Sequence, residues 1–182
     1  MIIKTFTLGR LETNCYVLSV GNRAVAVDAG EGPSPMIDYV RGQGLELAHI
    51  YNTHLHFDHV SGNRELAEAT GAVILASPED AYLGSLAVGR GGAGDAPPVQ
   101  PFDYDPLEPG RLEVLGQPMF VLDTPGHTPG SLSFYFPRAE AVFVGDVLFQ
   151  GSVGRTYFAG GDARLLLDSI RRRIFTLPGE TV

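Results

Sequence analysis

The stretch Asn52-Thr53-His54-Leu55-His56-Phe57-Asp58-His59 constrains this chain more than any other. It gathers three of the five histidines into six residues, with an aspartate among them. His54, His56 and Asp58 are spaced two apart, so in extended backbone they point the same way. His59 breaks that period, and the chain must turn there to bring it to the same place. Neutral imidazoles and a carboxylate are ligands for Zn²⁺, and for Fe and Mn in harder sites. A polar loop whose histidines bond to backbone or water accounts for a single histidine. It is the reading for His49, which precedes an apolar strand and has no partner nearby in sequence. It does not account for three, because imidazoles crowded without a cation oppose donor to donor.

At 182 residues the chain fits one good-sized domain with a real hydrophobic core, and its 44% hydrophobic share is ordinary. The N-terminus alternates polar and apolar residues without a secretory core or cleavage site. No run approaches the ~18 apolar residues of a membrane span. A cytoplasmic protein with no membrane partner is expected. The single cysteine, Cys15, excludes an intramolecular disulfide, and its setting in Cys-Tyr-Val-Leu suits a buried structural thiol. A formal charge of -8 disfavours a nucleic-acid surface. The run Arg171-Arg172-Arg173 lies near a helix C-terminus, where cations favour the macrodipole.

Three strands open the chain: Ile2 to Leu8, Cys15 to Val20 and Ala24 to Val27, the last two joined by a Gly21-Asn22 turn. Ser34 reads as an N-cap with Pro35 at the first helical position, and Met36, Ile37 and Val40 as an apolar face. Ala48 to Asn52 is a strand that delivers the histidine cluster at its C-terminal end. A helix from Asn63 closes at Gly71, Ala72 to Ala76 is a strand, and Ser77-Pro78-Glu79-Asp80 starts a second short helix. Gly84 to about Pro109, with Gly94 and Pro97 among many glycines and prolines, reads as a long loop or lid. Leu112 to Leu115 and Met119 to Leu122 form a hairpin. His127 follows between two Pro-Gly pairs, in backbone held by turns. Leu132 to Phe136 and Ala141 to Val144 are strands, and Asp146 just beyond is either a turn starter or a bridging carboxylate. Ala24 to Asp28 and Ala141 to Asp146 look alike, a hint of two related halves. Asp162 caps a helix with Leu166, Ile170 and Ile174 on one face. The interspersed strands and helices predict a layered α/β domain.

With His54-x-His56-x-Asp58-His59, His127 and Asp146 in this order, the chain resembles the metallo-β-lactamase superfamily over nearly its whole length. The resemblance implies an αββα sandwich, two mixed sheets with helices outside, formed by residues 1–182 as one domain. The run from Asp146 to Tyr157 looks like the small bacterial branch of the glyoxalase II (hydroxyacylglutathione hydrolase) group. By that resemblance His54, His56 and His127 hold one divalent metal, Asp58 and His59 a second, and Asp146 bridges them. The ions are Zn first, with Fe or Mn as alternatives, and Asp58 also orients a metal-held hydroxide. Arg155 and Tyr157 stand where the family contacts glutathione. The implied reaction is hydrolysis of a thioester such as S-lactoylglutathione. Rivals on the same scaffold are a mononuclear iron persulfide dioxygenase using His54, His127 and Asp146, a lactonase, a metallo-nuclease disfavoured by charge, and a metal-binding non-enzyme. The family's last histidine ligand belongs shortly after Leu177-Pro-Gly-Glu-Thr-Val182, so an extreme C-terminal segment is expected to be missing here.

Overall fold

The computed structural model describes residues 1–92 and 98–182. The three N-terminal segments pair as antiparallel strands, β1 (Ile2–Leu8) with β2 (Thr13–Val20) and β2 with β3 (Arg23–Val27). The chain then crosses over through α1 (Ser34–Gly42) to a parallel neighbour, β4 (Glu46–Tyr51). A single helical turn, α2 (Phe57–Val60), and α3 (Asn63–Thr70) lead to β5 (Val73–Ala76), again parallel. Gly71 ends α3 in the left-handed region at φ 78°, a conformation a side chain rarely takes. The 3₁₀ segment Pro78–Ser85 and the turn α4 (Ala87–Arg90) precede β6 (Asp105–Pro106), which completes a six-stranded sheet in sequence order.

The second sheet has the order β10-β9-β8-β7, with β7 (Gly110–Val114), β8 (Gln117–Asp123), β9 (Leu132–Phe136) and β10 (Ala141–Phe143) all antiparallel. At its β10 edge Val182 pairs in the parallel sense, donating to Glu140 O and accepting from Val142 N, both at 2.8 Å. A two-residue hairpin, β11 (Leu148–Phe149) with β12 (Ser152–Val153), precedes α5 (Ala163–Ser169).

Alternation decides the layers. Along β2, Val17 faces Met36, Ile37 and Val40 of α1 and Leu66 of α3, while Leu18 faces Met119, Val121, Phe134 and Phe136 of the smaller sheet. Val147, Leu166, Ile170 and Ile174 close the outer side of that sheet with Leu122 and Val142. The result is helix, sheet, sheet, helix, the expected sandwich. Each fully buried Leu, Met or Phe here stabilises the fold by roughly 1.5–3 kcal/mol.

Several local expectations need correction. Ser34 is inside α1, with Pro33 at the cap position and no side-chain cap bond, since the preceding prolyl ring already sets the helix entry. The 84–109 loop contains α4 and β6, while Gly94 and Pro97 lie outside the described residues. The Asp162 helix is α-helical only to Ser169; Ile170–Ile174 is a π turn that keeps Ile170 and Ile174 buried with Leu166 and exposes Arg171 to Arg173. Among the described residues no helix is long and apolar enough to cross a membrane.

Candidate metal centre

The segment after β4 brings His54 and His56 together, with His56 lining a cavity, and α2 supplies the turn that His59 requires. The loop after β8 brings His127 opposite them, and the loop after β10 brings Asp146. One ligand atom from each of His54, His56 and His127 lies within 4.8 Å of the others, and the same holds for His54, His59 and Asp146. His127 Nε2 is 2.9 Å from His56 Nδ1. Asp146 spans the two groups, Oδ1 lying 3.2 Å from His59 Nε2 and Oδ2 3.4 Å from His127 Nε2. Asp58 belongs to neither compact group, although its Oδ2 is 3.5 Å from His59 Nε2. His49 lies on β4, tilted against Tyr51, apart from both groups.

Three of the four rings, all but that of His56, are aimed by a partner on the far nitrogen. His59 Nδ1–H donates to Asp28 Oδ2 at 2.7 Å. The Thr53 hydroxyl donates to the same Oδ2 at 2.8 Å and so accepts from His54 Nδ1–H at 3.1 Å. His127 Nδ1–H donates to Arg155 O at 2.7 Å. Such bonds fix both the tautomer and the direction of the other nitrogen. Gly145 is needed beside Asp146, because it sits at φ 52° and a Cβ there would collide with Thr53.

Burial, and then the neighbouring rings of His59, His56 and His127, hold the His54 pKa well below the usual imidazole value. Burial and His127 push His56 down to about 3. Both therefore carry free lone pairs at neutral pH. Burial would lower His59 too, but Asp28, Asp146 and Asp58 reverse it and raise its pKa well above the usual value. Burial would raise Asp146, yet its bond to His59 and the surrounding imidazoles bring it below the ordinary carboxylate range. Among the described residues, the buried Nε2 atoms of His54 and His56 find no hydrogen-bond partner. Unpartnered buried nitrogens are rare in folded proteins, and a cation resolves this arrangement where another protein donor would not. The donor set fits divalent metal.

The cavity, about 590 Å³, is also lined by Phe57, Phe149, Phe158 and Arg155. Tyr157 is 73% exposed and off this lining, its ring 4.7 Å from that of Phe158. Cys15 is fully buried, its sulfur accepting from Gly30 N–H at 3.2 Å, and burial raises its pKa, so it is structural. Sequence reasoning missed Asp28, Thr53 and Thr13, whose hydroxyl donates to Asp58 Oδ2 at 3.0 Å. The likeness of Ala24–Asp28 to Ala141–Asp146 was the available signal for Asp28. The two aspartates in fact grip the two nitrogens of His59.

A family model described as the metallo-beta-lactamase superfamily matches residues 8–182. A Bacillus subtilis protein described as "Probable metallo-hydrolase YqgX" is 34% identical over 178 residues, 96% of this chain and 84% of that protein. A hydroxyacylglutathione hydrolase of Rhodospirillum rubrum is 33% identical over 92% of this chain, which spans only 59% of that enzyme's length. Among solved structures, the BLEG-1 B3 metallo-beta-lactamase superposes with a TM-score of 0.86 at 33% identity, over 99% of this chain and 88% of that one. TTHA1623, solved in a di-iron-bound form, superposes with a TM-score of 0.85 at 36% identity, over 96% of this chain and 87% of that one. The chain belongs to the metallo-beta-lactamase superfamily, and within it to the metal-dependent hydrolases.

Proposed function

We propose that the cleft hydrolyses thioesters of glutathione, S-lactoylglutathione being the type of substrate. The observation that carries this reading is the place of Arg155. It is the one guanidinium or ammonium among the described residues lining the cavity that holds the histidines. Its planar fork grips a carboxylate through two parallel hydrogen bonds, and glutathione carries a carboxylate at each end. The similarity to a hydroxyacylglutathione hydrolase adds support.

Two divalent ions, Zn in the first instance, with Fe or Mn as alternatives, would be held by His54, His56 and His127 on one side and His59 with Asp58 on the other, Asp146 between them. When bound, such ions make a water acidic enough to attack at neutral pH and polarise the acyl carbonyl. The chain's own residues do the rest. Thr13 donates to Asp58 Oδ2 and so fixes the turn of this carboxylate, which would hold the orientation of the attacking water. Phe57, Phe149 and Phe158 present apolar walls to the acyl group and thin the water around it. A substrate reaching past Phe158 meets Tyr157. The thiolate leaves with a pKa near ~8.5, so the reaction asks for no strong proton donor at the leaving group.

The likeness to BLEG-1 favours a second reading, the opening of a β-lactam ring by the same groups. Metal-loaded protein offered S-lactoylglutathione and a chromogenic cephalosporin separates the two. Thioester turnover that loses about tenfold or more in kcat/KM in Arg155→Ala, chiefly through KM, supports the first. Lactam turnover with an inert thioester supports the second. Oxygen consumption with glutathione persulfide, and neither hydrolysis, overturns both.

A further inference from the structure

We infer that Asp80 is a positioning residue for the metal centre: its carboxylate clamps the turn carrying His54 and His56 to the turn carrying His127. The inference rests on the metal reading of the site. Asp80 is 0% exposed and belongs to neither donor group. Its Oδ2 accepts from Leu55 N–H at 3.2 Å and from the Thr128 hydroxyl at 2.8 Å, and its Oδ1 accepts from Gly130 N–H at 2.8 Å. Leu55 lies between His54 and His56, and Thr128 follows His127. One carboxylate therefore grips a chain neighbour of every donor in the first group.

The two turns are 71 residues apart in sequence at His56 and His127, yet their nitrogens lie 2.9 Å apart and must hold their places to roughly 0.5 Å. Leu132 N–H donates to Thr53 O at 2.8 Å and ties the turns at one end. Asp80 ties them at the other. The Thr128 hydroxyl also lies 2.8 Å from Ser131 Oγ, which accepts from Thr128 N–H at 3.1 Å, so the His127 turn cannot rotate freely. A Cβ at residue 130 would come 2.7 Å from the Asp80 carboxylate, so Gly130 lets the turn close on it.

The chemistry requires a carboxylate. Three donors converge on it, and an ionised carboxyl accepts from all three. An asparagine keeps the shape but turns an amino group toward at least one of those N–H or O–H groups. Tyr82, on the same 3₁₀ segment, serves as a control, because its hydroxyl donates to Ala159 O at 2.9 Å, a bond that does not join the two histidine turns.

The experiment strips metal with a chelator and measures Zn²⁺ affinity by competition with a chromophoric chelator, then records the visible spectrum of the Co²⁺ form. Asp80→Asn and Thr128→Val should bind Zn²⁺ about 10–100-fold more weakly and shift the Co²⁺ bands. Thr128→Ser, which keeps the hydroxyl, and Tyr82→Phe should keep the wild-type affinity and spectrum. Unchanged affinity and spectrum in Thr128→Val and Asp80→Asn overturn the inference and leave Asp80 a purely structural residue. Should Asp80→Asn fail to fold, the Thr128→Val and Thr128→Ser pair decides alone. Wild-type protein that binds neither ion overturns the metal reading itself, a failure visible before any variant is made.

Discussion

Replacing Asp28 by asparagine tests how the site is aimed, because the substitution keeps shape and backbone while removing charge. Asp28 sits at φ 56°, a left-handed conformation that asparagine also tolerates. Its buried carboxylate accepts Thr53 N–H at 2.8 Å, the Thr53 hydroxyl at 2.8 Å and His59 Nδ1–H at 2.7 Å. Asparagine has one acceptor oxygen. If that oxygen serves His59 and the Thr53 hydroxyl, the amino group opposes Thr53 N–H and leaves a buried donor unsatisfied, at a cost of ~1–3 kcal/mol. The remaining bonds lose their ionic partner and roughly half their strength. The sum is about 2–4 kcal/mol, shared between the fold and the orientation of His59 and, through Thr53, His54. Metal affinity should fall about 10–100-fold, and the melting temperature of the metal-free protein by roughly 4–16 °C. Chelator competition and thermal unfolding measure the two. An Asp28→Asn protein with metal affinity within about twofold of wild type would refute the claim that this carboxylate aims the histidines.

Thr13→Val removes the hydroxyl on Asp58 Oδ2, and should lower kcat by about tenfold with little change in KM, as read by steady-state thioester kinetics. Gly145→Ala places a Cβ against Thr53 at positive φ and should destabilise the protein by ~1–3 kcal/mol in urea unfolding. Burial raises the Tyr51 pKa from 10 to about 12. The neutral phenol therefore contributes stability that is fully present below pH 10 and lost as pH rises through 12, because the unfolded chain ionises first. Tyr51→Phe should flatten the loss of stability across that window, followed by circular dichroism against pH.

Much of the architecture was legible because it is local. Period-two alternation marks β1, an apolar run marks β2, and Gly71 marks the end of α3. The histidine cluster declares its chemistry by composition, and its broken period foretold the turn that became α2. What was illegible depends on contacts distant in sequence. Asp28 looks like a turn residue after a strand, and only the fold sets it beside His59, 31 positions on. Asp80 looks like a first-turn acid of a short helix, and only the fold brings Thr128 and Gly130 to it. Thr13 fell outside the expected strand because Asn14 interrupts the apolar run. β6 is two residues long and exposed, held by pairing with β5 and not by its own pattern.

The central claim is that these histidines and Asp146 hold the divalent metal on which hydrolysis depends. The most direct measurement is S-lactoylglutathione turnover by chelator-stripped protein as Zn²⁺ is added back, with bound metal counted by elemental analysis in the same samples. No turnover is expected without metal, and the rate should rise with each bound equivalent until the site fills. A hydrolysis rate unaffected by stripping, or full metal loading that leaves a His127→Ala protein as active as wild type, would contradict it.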